Sequence, residues 1–272
     1  MSSLVAQHLK AQHDKKVLLI DLNVQYGGQE VLLGLESVRT YIDLKPVLRE
    51  LDIHHIHNIT AHNEASNLDV LLSPCQPEQA EELTDDLISA LIRTARTHYD
   101  YVILDIPSDI NDTSFTALNE STEIYYILTP DSLSLRSYRH AMNLFERLNL
   151  ERFENVHILL NQEHDKSELT NKDISNLIDR KIAGNFHSDY LKLQPYINLG
   201  EPVFTSEKKA KFKLAKDVSG FVKRQLLTAK KEGDDSCLGF KKQPIRVEYQ
   251  TGKTSIFVRI RWNDGFVIIK IV

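Results

Sequence analysis

Short apolar runs alternate along this chain with stretches of helical spacing, and that alternation restricts its fold more than any other feature. The runs are KVLLIDL (16–22), LDVLLS (68–73), YVILDI (101–106), EIYYILT (123–129), VHILLN (156–161) and KIAGNF (181–186). Rich in Val, Ile, Leu and Tyr and apolar almost throughout, they read as strands buried on both faces. Between them, 77–97 places Ala80, Leu83, Leu87, Leu91 and Ala95 on one helical face, and 132–148 does the same with Tyr138, Met142 and Phe145. A terminal helix over 207–230 aligns Leu214, Val218, Phe221, Val222 and Leu226 against a lysine-rich face, a pattern that covers a sheet or suits an anionic membrane. Strands alternating with helices imply βαβ crossovers, so the expected fold is α/β, a doubly wound, mostly parallel sheet with helices on both faces. Ligands of such sheets bind beyond the carboxyl ends of the strands.

The pattern changes after residue 228. Residues 229–243 (AKKEGDDSCLGFKKQ) have no amphipathic period and read as a linker. From 244 a period of two sets in, with turns at Thr251-Gly252-Lys253 and Asn263-Asp264-Gly265, so 244–272 is expected to be a three-stranded meander. Such a meander is too small to stand alone and must dock or pair with something.

A net charge of −5 over 272 residues gives no global attraction for a polyanion, which argues against a nucleic-acid binder. Two widely spaced cysteines, Cys75 and Cys237, suit a reducing cytoplasm and exclude a disulfide framework. No run reaches the roughly 18 apolar residues of a spanning helix, and the first sixteen residues lack a signal-peptide core, so neither secretion nor membrane integration is expected. The cluster His54, His55, His57 and His62 has no partner carboxylate or thiolate at ligand spacing and reads as a solvated loop.

Chemistry points instead to the ends of two strands. VLLIDLN closes on Asp21 and YDYVILDIP on Asp105. Singly, each aspartate is also explained as a cap or turn residue; two in one α/β chain deliver a pair of carboxylates to the crevice where magnesium and phosphates bind. Ahead of the first strand, Ser2-Ser3 opens an apolar helical stretch. That pair serves as a plain cap, or as the hydroxyls that close a phosphate loop of the GxxxxGK[ST] kind, in which glycine-rich backbone cradles phosphate and the hydroxyl ligates Mg²⁺.

Taken in order, these segments resemble the MinD/ParA group of deviant P-loop ATPases, and most closely its CpaE/TadZ-like pilus-assembly branch, over residues 2–227. VLLIDLNVQYGG (17–28) resembles that branch's strand-plus-loop pattern, LDVLLSPCQPEQAEEL (68–83) its proline- and glutamate-containing stretch, and YDYVILDIP its Walker B strand. LTPDSLSLRSYRHAMNLFERL (128–148), LLNQEH and INLGEPVF (197–204) resemble the segments that follow. The resemblance implies ATP and Mg²⁺ as cofactors. It assigns Ser2, with Ser3, to the nucleotide phosphates, Ser2 and Asp105 to magnesium, Asp21 to the catalytic switch position that orients attacking water, and Asn161 to the base. It further implies a homodimer, partners in a pilus or secretion machine, and peripheral association at the cytoplasmic face of the inner membrane.

Two departures accompany it. Asn23 stands where the switch segment carries a second acid, and an amide cannot accept a proton as a carboxylate can. Measured against that pattern, Met1 falls inside the phosphate loop, so the expected domain over 1–228 lacks its first strand and most of the loop and is expected to hold ATP weakly. A gap at the missing strand's central position is expected too, with a strand from 244–272 as the candidate to fill it.

Overall fold

The computed structural model describes residues 1–25, 27–36, 39–74, 76–150, 155–164, 166–207, 210–228 and 266–271. In chain order the regular elements are α1 (Ser2–His13), β1 (Val17–Asp21), α2 (Gln29–Leu33), α3 (Ile53–Ile59), β2 (Ala61–Asn63), β3 (Leu68–Leu71), α4 (Asp85–Arg96), β4 (Tyr101–Asp105), α5 (Asp112–Glu120), β5 (Glu123–Leu128), α6 (Ser132–Arg147), β6 (Val156–Glu163), α7 (Asn171–Ile178), β7 (Ile182–His187), α8 (Tyr190–Leu199), α9 (Lys213–Phe221) and β8 (Phe266–Ile271). The strands form one sheet in the order β2-β3-β1-β4-β8-β5-β6-β7. Every pairing is parallel except that of β2 with β3.

The period-two alternation splits the core into two layers. Leu18, Ile20, Val102 and Leu104 face a layer closed by α3 to α7, with Ile56, Leu91, Leu118, Phe145 and Ile174 among its buried side chains. Val17, Leu19, Tyr101 and Ile103 face the opposite layer, where Leu4, Val5 and Leu9 of α1 and Leu214, Val218 and Phe221 of α9 cover the sheet. The doubly wound α/β fold expected from the sequence is the fold observed.

Three expectations need correction. The helix foreseen over 77–97 is shorter: Pro77–Glu82 is a 3₁₀ stretch, and α4 starts at Asp85, with the Thr84 side chain accepting from the Leu87 N–H. A capping threonine followed by two acids fixes that start better than the apolar spacing does. The terminal helix likewise begins later, at Lys213, and passes into a π turn at Val222–Leu227. The histidine cluster is not a loop. His54, His55 and His57 lie on α3, whose Asp52 cap accepts from the His55 N–H, while His62 lies on β2 with its Nδ1 2.9 Å from Asp69 Oδ1.

The meander expected over 244–272 falls mostly outside the described residues, as does the linker expected over 229–243. β8 pairs in parallel with β4 on one side and β5 on the other. The slot between β4 and β5 is filled from within the 244–272 region.

Candidate active site

Strands β1 and β4 lie side by side in register from Val17↔Tyr101 to Asp21↔Asp105, so the two aspartates close the pair at the same level. The Leu22 N–H continues the ladder by donating to the Asp105 carbonyl at 2.9 Å. Both carboxylates occupy the odd positions of their strands and share the sheet face of Val17, Leu19, Tyr101 and Ile103, the face covered by α1.

Helix α1 is tied to that edge by geometry. Three residues, 14–16, connect it to β1, so the helix runs antiparallel to the strand it covers. Twelve helical residues rise about 18 Å and five strand residues about 17 Å. The first turn of α1 therefore lies level with Asp21 and Asp105. Ser2 and Ser3 are both buried there; Ser3 Oγ accepts from Gln7 Nε2 at 2.9 Å, whereas Ser2 Oγ has no hydrogen-bond partner.

Asp21 is 2% exposed. Its Oδ1 accepts from the Asn23 N–H at 3.0 Å and its Oδ2 from the Gln29 N–H at 3.2 Å. Burial, with the neighbouring Asp105 charge second, pushes its carboxyl up to about 6 against the opposing pull of those two N–H groups. Asp105 Oδ2 accepts from Gln29 Nε2, so a single glutamine touches both carboxylates, while its own Oε1 is buried without a partner. Tyr41, fully buried, donates its hydroxyl to the Asp21 carbonyl at 3.0 Å.

The loop between β1 and α2 passes close to the end of β3. A Cβ added at Gly27 would stand 2.2 Å from Ser73 Oγ and 3.6 Å from Asp21 Oδ2, so a larger residue here would force the Ser73 hydroxyl to move. Gln29, Ser73 and Tyr41 escaped the sequence reading. Gln29 left a faint signal, a polar residue between a glycine pair and an apolar turn; Tyr41 left none.

Asn161 lies elsewhere. It lines a cleft of about 800 Å³ with Thr129, Asp131, Ser134, Arg136 and His140, and neither Ser2, Asp21 nor Asp105 contributes to that lining. Three strand steps separate β4 from β6, roughly 14 Å. A ligand touching both places has to run along the carboxyl edge over β8 and β5. Among the described residues no group of three or more His, Cys, Asp or Glu is placed to hold a metal ion.

Residues 1–158 match the family described as AAA domain. The chain belongs to that family. Among its relatives, the septum site-determining protein MinD of Synechocystis is 25% identical over 73% of this chain and 74% of its own length. Solved structures with the same fold include a ParA family ATPase from Chlorobium tepidum, at a TM-score of 0.72 and 24% identity over 81% of this chain and 90% of that one. Another is the MinC:MinD cell division protein complex of Aquifex aeolicus, at a TM-score of 0.67 and 20% identity over 84% of this chain and 90% of that one. MinD of Pyrococcus horikoshii complexed with Mg-ADP also has a TM-score of 0.67, at 15% identity over 85% of this chain and 92% of that one. The chain thus shares its fold with these MinD and ParA family structures. Among the described residues no helix is long and apolar enough to cross a membrane.

Proposed function

We propose that this chain is a magnesium- and adenine-nucleotide-dependent positioning switch of the MinD/ParA type, serving a Tad/Flp-type pilus or a related secretion system. The observation that carries the reading is that Asp21 and Asp105 end their strands in register on the sheet face covered by α1, whose first turn holds the buried, unpaired hydroxyl of Ser2. The donor set is right for a hard cation, which takes carboxylate and neutral oxygens and keeps several waters. The orphaned Ser2 Oγ and Gln29 Oε1 are buried polar atoms of the kind that a ligand satisfies.

In this reading Ser2 and Asp105 hold the cation, which when bound neutralises phosphate charge. Ser2 and Ser3, in the first turn of α1, also present helix N-terminal N–H groups to phosphate. Asp21, fixed by two backbone N–H groups and backed by Tyr41, orients water. Asn161 serves the base from its cleft. The Mg-ADP complex of the Pyrococcus horikoshii protein supports the ligand class, and the MinC:MinD complex supports a switch that docks a protein partner; the homodimer and the inner-membrane location follow from the family resemblance of the sequence. The pilus branch rests on the order of the six sequence segments.

Asn23 favours a second reading, a nucleotide-holding scaffold without turnover, because the second carboxylate of the switch segment is an amide. Calorimetric titration with Mg-ADP and Mg-ATP, alongside phosphate release, tests both. Magnesium-dependent binding that Asp105→Asn weakens is expected. Binding that is indifferent to magnesium and to Asp105→Asn would make the aspartate pair structural, and binding without phosphate release selects the scaffold.

A further inference from the structure

Gln29 is a neutral residue in a carboxylate pair, 3% exposed, and its hydrogen bonds are incomplete. Its backbone N–H goes to Asp21 Oδ2 and its Nε2–H to Asp105 Oδ2. The orientation of the amide is settled by chemistry: flipped, Oε1 would face a carboxylate oxygen with no proton between them. Oε1 is therefore left on the far side of the amide, buried, and able only to accept. Buried acceptors are rarely left unmatched, and what this one lacks is a donor. The side chain has little room to retreat, since Gly27 already packs against Ser73 and Gly28, at φ 156°, turns the chain directly into α2.

Next to two carboxylates, the strongest available donor is water polarised by a cation. We propose that Gln29 completes the cation site, its Nε2–H holding Asp105 in place while its Oε1 accepts a hydrogen bond from the water shell of a divalent cation held at Asp105, beside Asp21. This rests on the reading of the aspartate pair as a cation site, and goes beyond it by adding a residue that orients the carboxylates and contacts the ion's hydration.

The test uses the full chain and Mn²⁺ as probe, with free ion followed by electron paramagnetic resonance and no nucleotide present. Gln29→Ala is expected to weaken Mn²⁺ binding on the order of tenfold, as loss of a residue supporting a metal ligand does. Gln29→Glu, which keeps an oxygen at Oε1 and adds a charge, is expected to bind at least as tightly as the parent above pH 7. If Gln29 merely braced the loop, Gln29→Glu would bind more weakly, because it places a third carboxylate against Asp105 with no proton to share. Parent binding that falls in Asp105→Asn but is unchanged in Gln29→Ala, or falls in Gln29→Glu, overturns the inference and leaves the cation site standing. A parent chain that takes up no Mn²⁺ overturns both.

Discussion

Strands β1 and β4 and strand β8 meet in the same sheet, one strand apart, yet they are put there by different means. β1 follows α1 after three residues, and β4 follows α4 after four; each arrives by a short return from the helix that precedes it. β8 is separated from the rest of the described chain by residues 229–265 and still takes a central position, pairing from Tyr101↔Phe266 to Asp105↔Lys270 and from Glu123↔Ile268 to Tyr126↔Ile271. Closing so long a connection adds little entropy, since the penalty grows only with the logarithm of length. The gain is that two facing strand edges are covered. The comparison shows that the aspartate-bearing strands are local constructions whereas the sheet's continuity is not.

The sharpest way to break that comparison is to remove 266–272. The facing edges of β4 and β5 would then carry unpaired N–H and C=O groups in the middle of the sheet, each costing about 1–3 kcal/mol if left dry. The shortened chain is expected to lose its cooperative urea transition and to aggregate, and the peptide FVIIKIV added in trans is expected to restore part of it. A shortened chain that unfolds cooperatively at the parent's midpoint would show that β8 is ornamental.

A smaller effect is expected from within the local pair. Ile103, 1% exposed at the centre of β4, packs into the layer under α1 and α9. Ile103→Ala should lower stability by about 3 kcal/mol while leaving the transition cooperative, because a cavity weakens the core without opening a strand edge. Urea unfolding checks it: a loss of cooperativity comparable to that of the shortened chain would erase the distinction between the two kinds of strand.

The same distinction governs what the sequence discloses. The six runs were legible because strands buried on both faces are apolar nearly throughout, and Asp21 and Asp105 stood out as charges at the ends of such runs. β2 was not, being three residues long with His62 exposed at its centre. The position of β8 was foreseen only through the gap that the family resemblance implied, for residues 266–271 carry in themselves no mark of their partners. Within the site, Gln29 and Tyr41 reach Asp21 across 8 and 20 residues through loops whose course no periodicity encodes. Asp21 and Asp105 could be read because periodic strands end on them; Gln29, although it opens α2, could not, because the loop before it decides where that helix begins.

The finest probe is the charge of Asp21 itself. With its carboxyl pushed up to about 6 from an ordinary value of 3.8, the folded chain holds a proton at this site that the unfolded chain has released. Between about pH 4 and pH 6 the native state thus binds more protons here than the unfolded state, and this group's contribution to stability falls as pH rises through that window. Below it both states are protonated, and above it both are ionised, with the full penalty present. A shift of about two units corresponds to about 3 kcal/mol. Asp21→Asn removes the ionisation but offers one oxygen where the carboxylate offered two to the N–H groups of Asn23 and Gln29, which trims the net gain to about 1–2 kcal/mol. Relative to the parent, the variant is therefore expected to be more stable above pH 6, with the advantage shrinking towards pH 4. Magnesium should narrow the difference, because its charge beside Asp21 favours the parent's ionised carboxylate while Ser2 and Asp105 still hold the ion in the variant. Paired urea titrations at pH 4.5, 5.5, 7 and 8, with and without Mg²⁺, decide it: a stability difference that stays constant across pH would mean that Asp21 sits at the end of its strand as an ordinary, freely ionised cap.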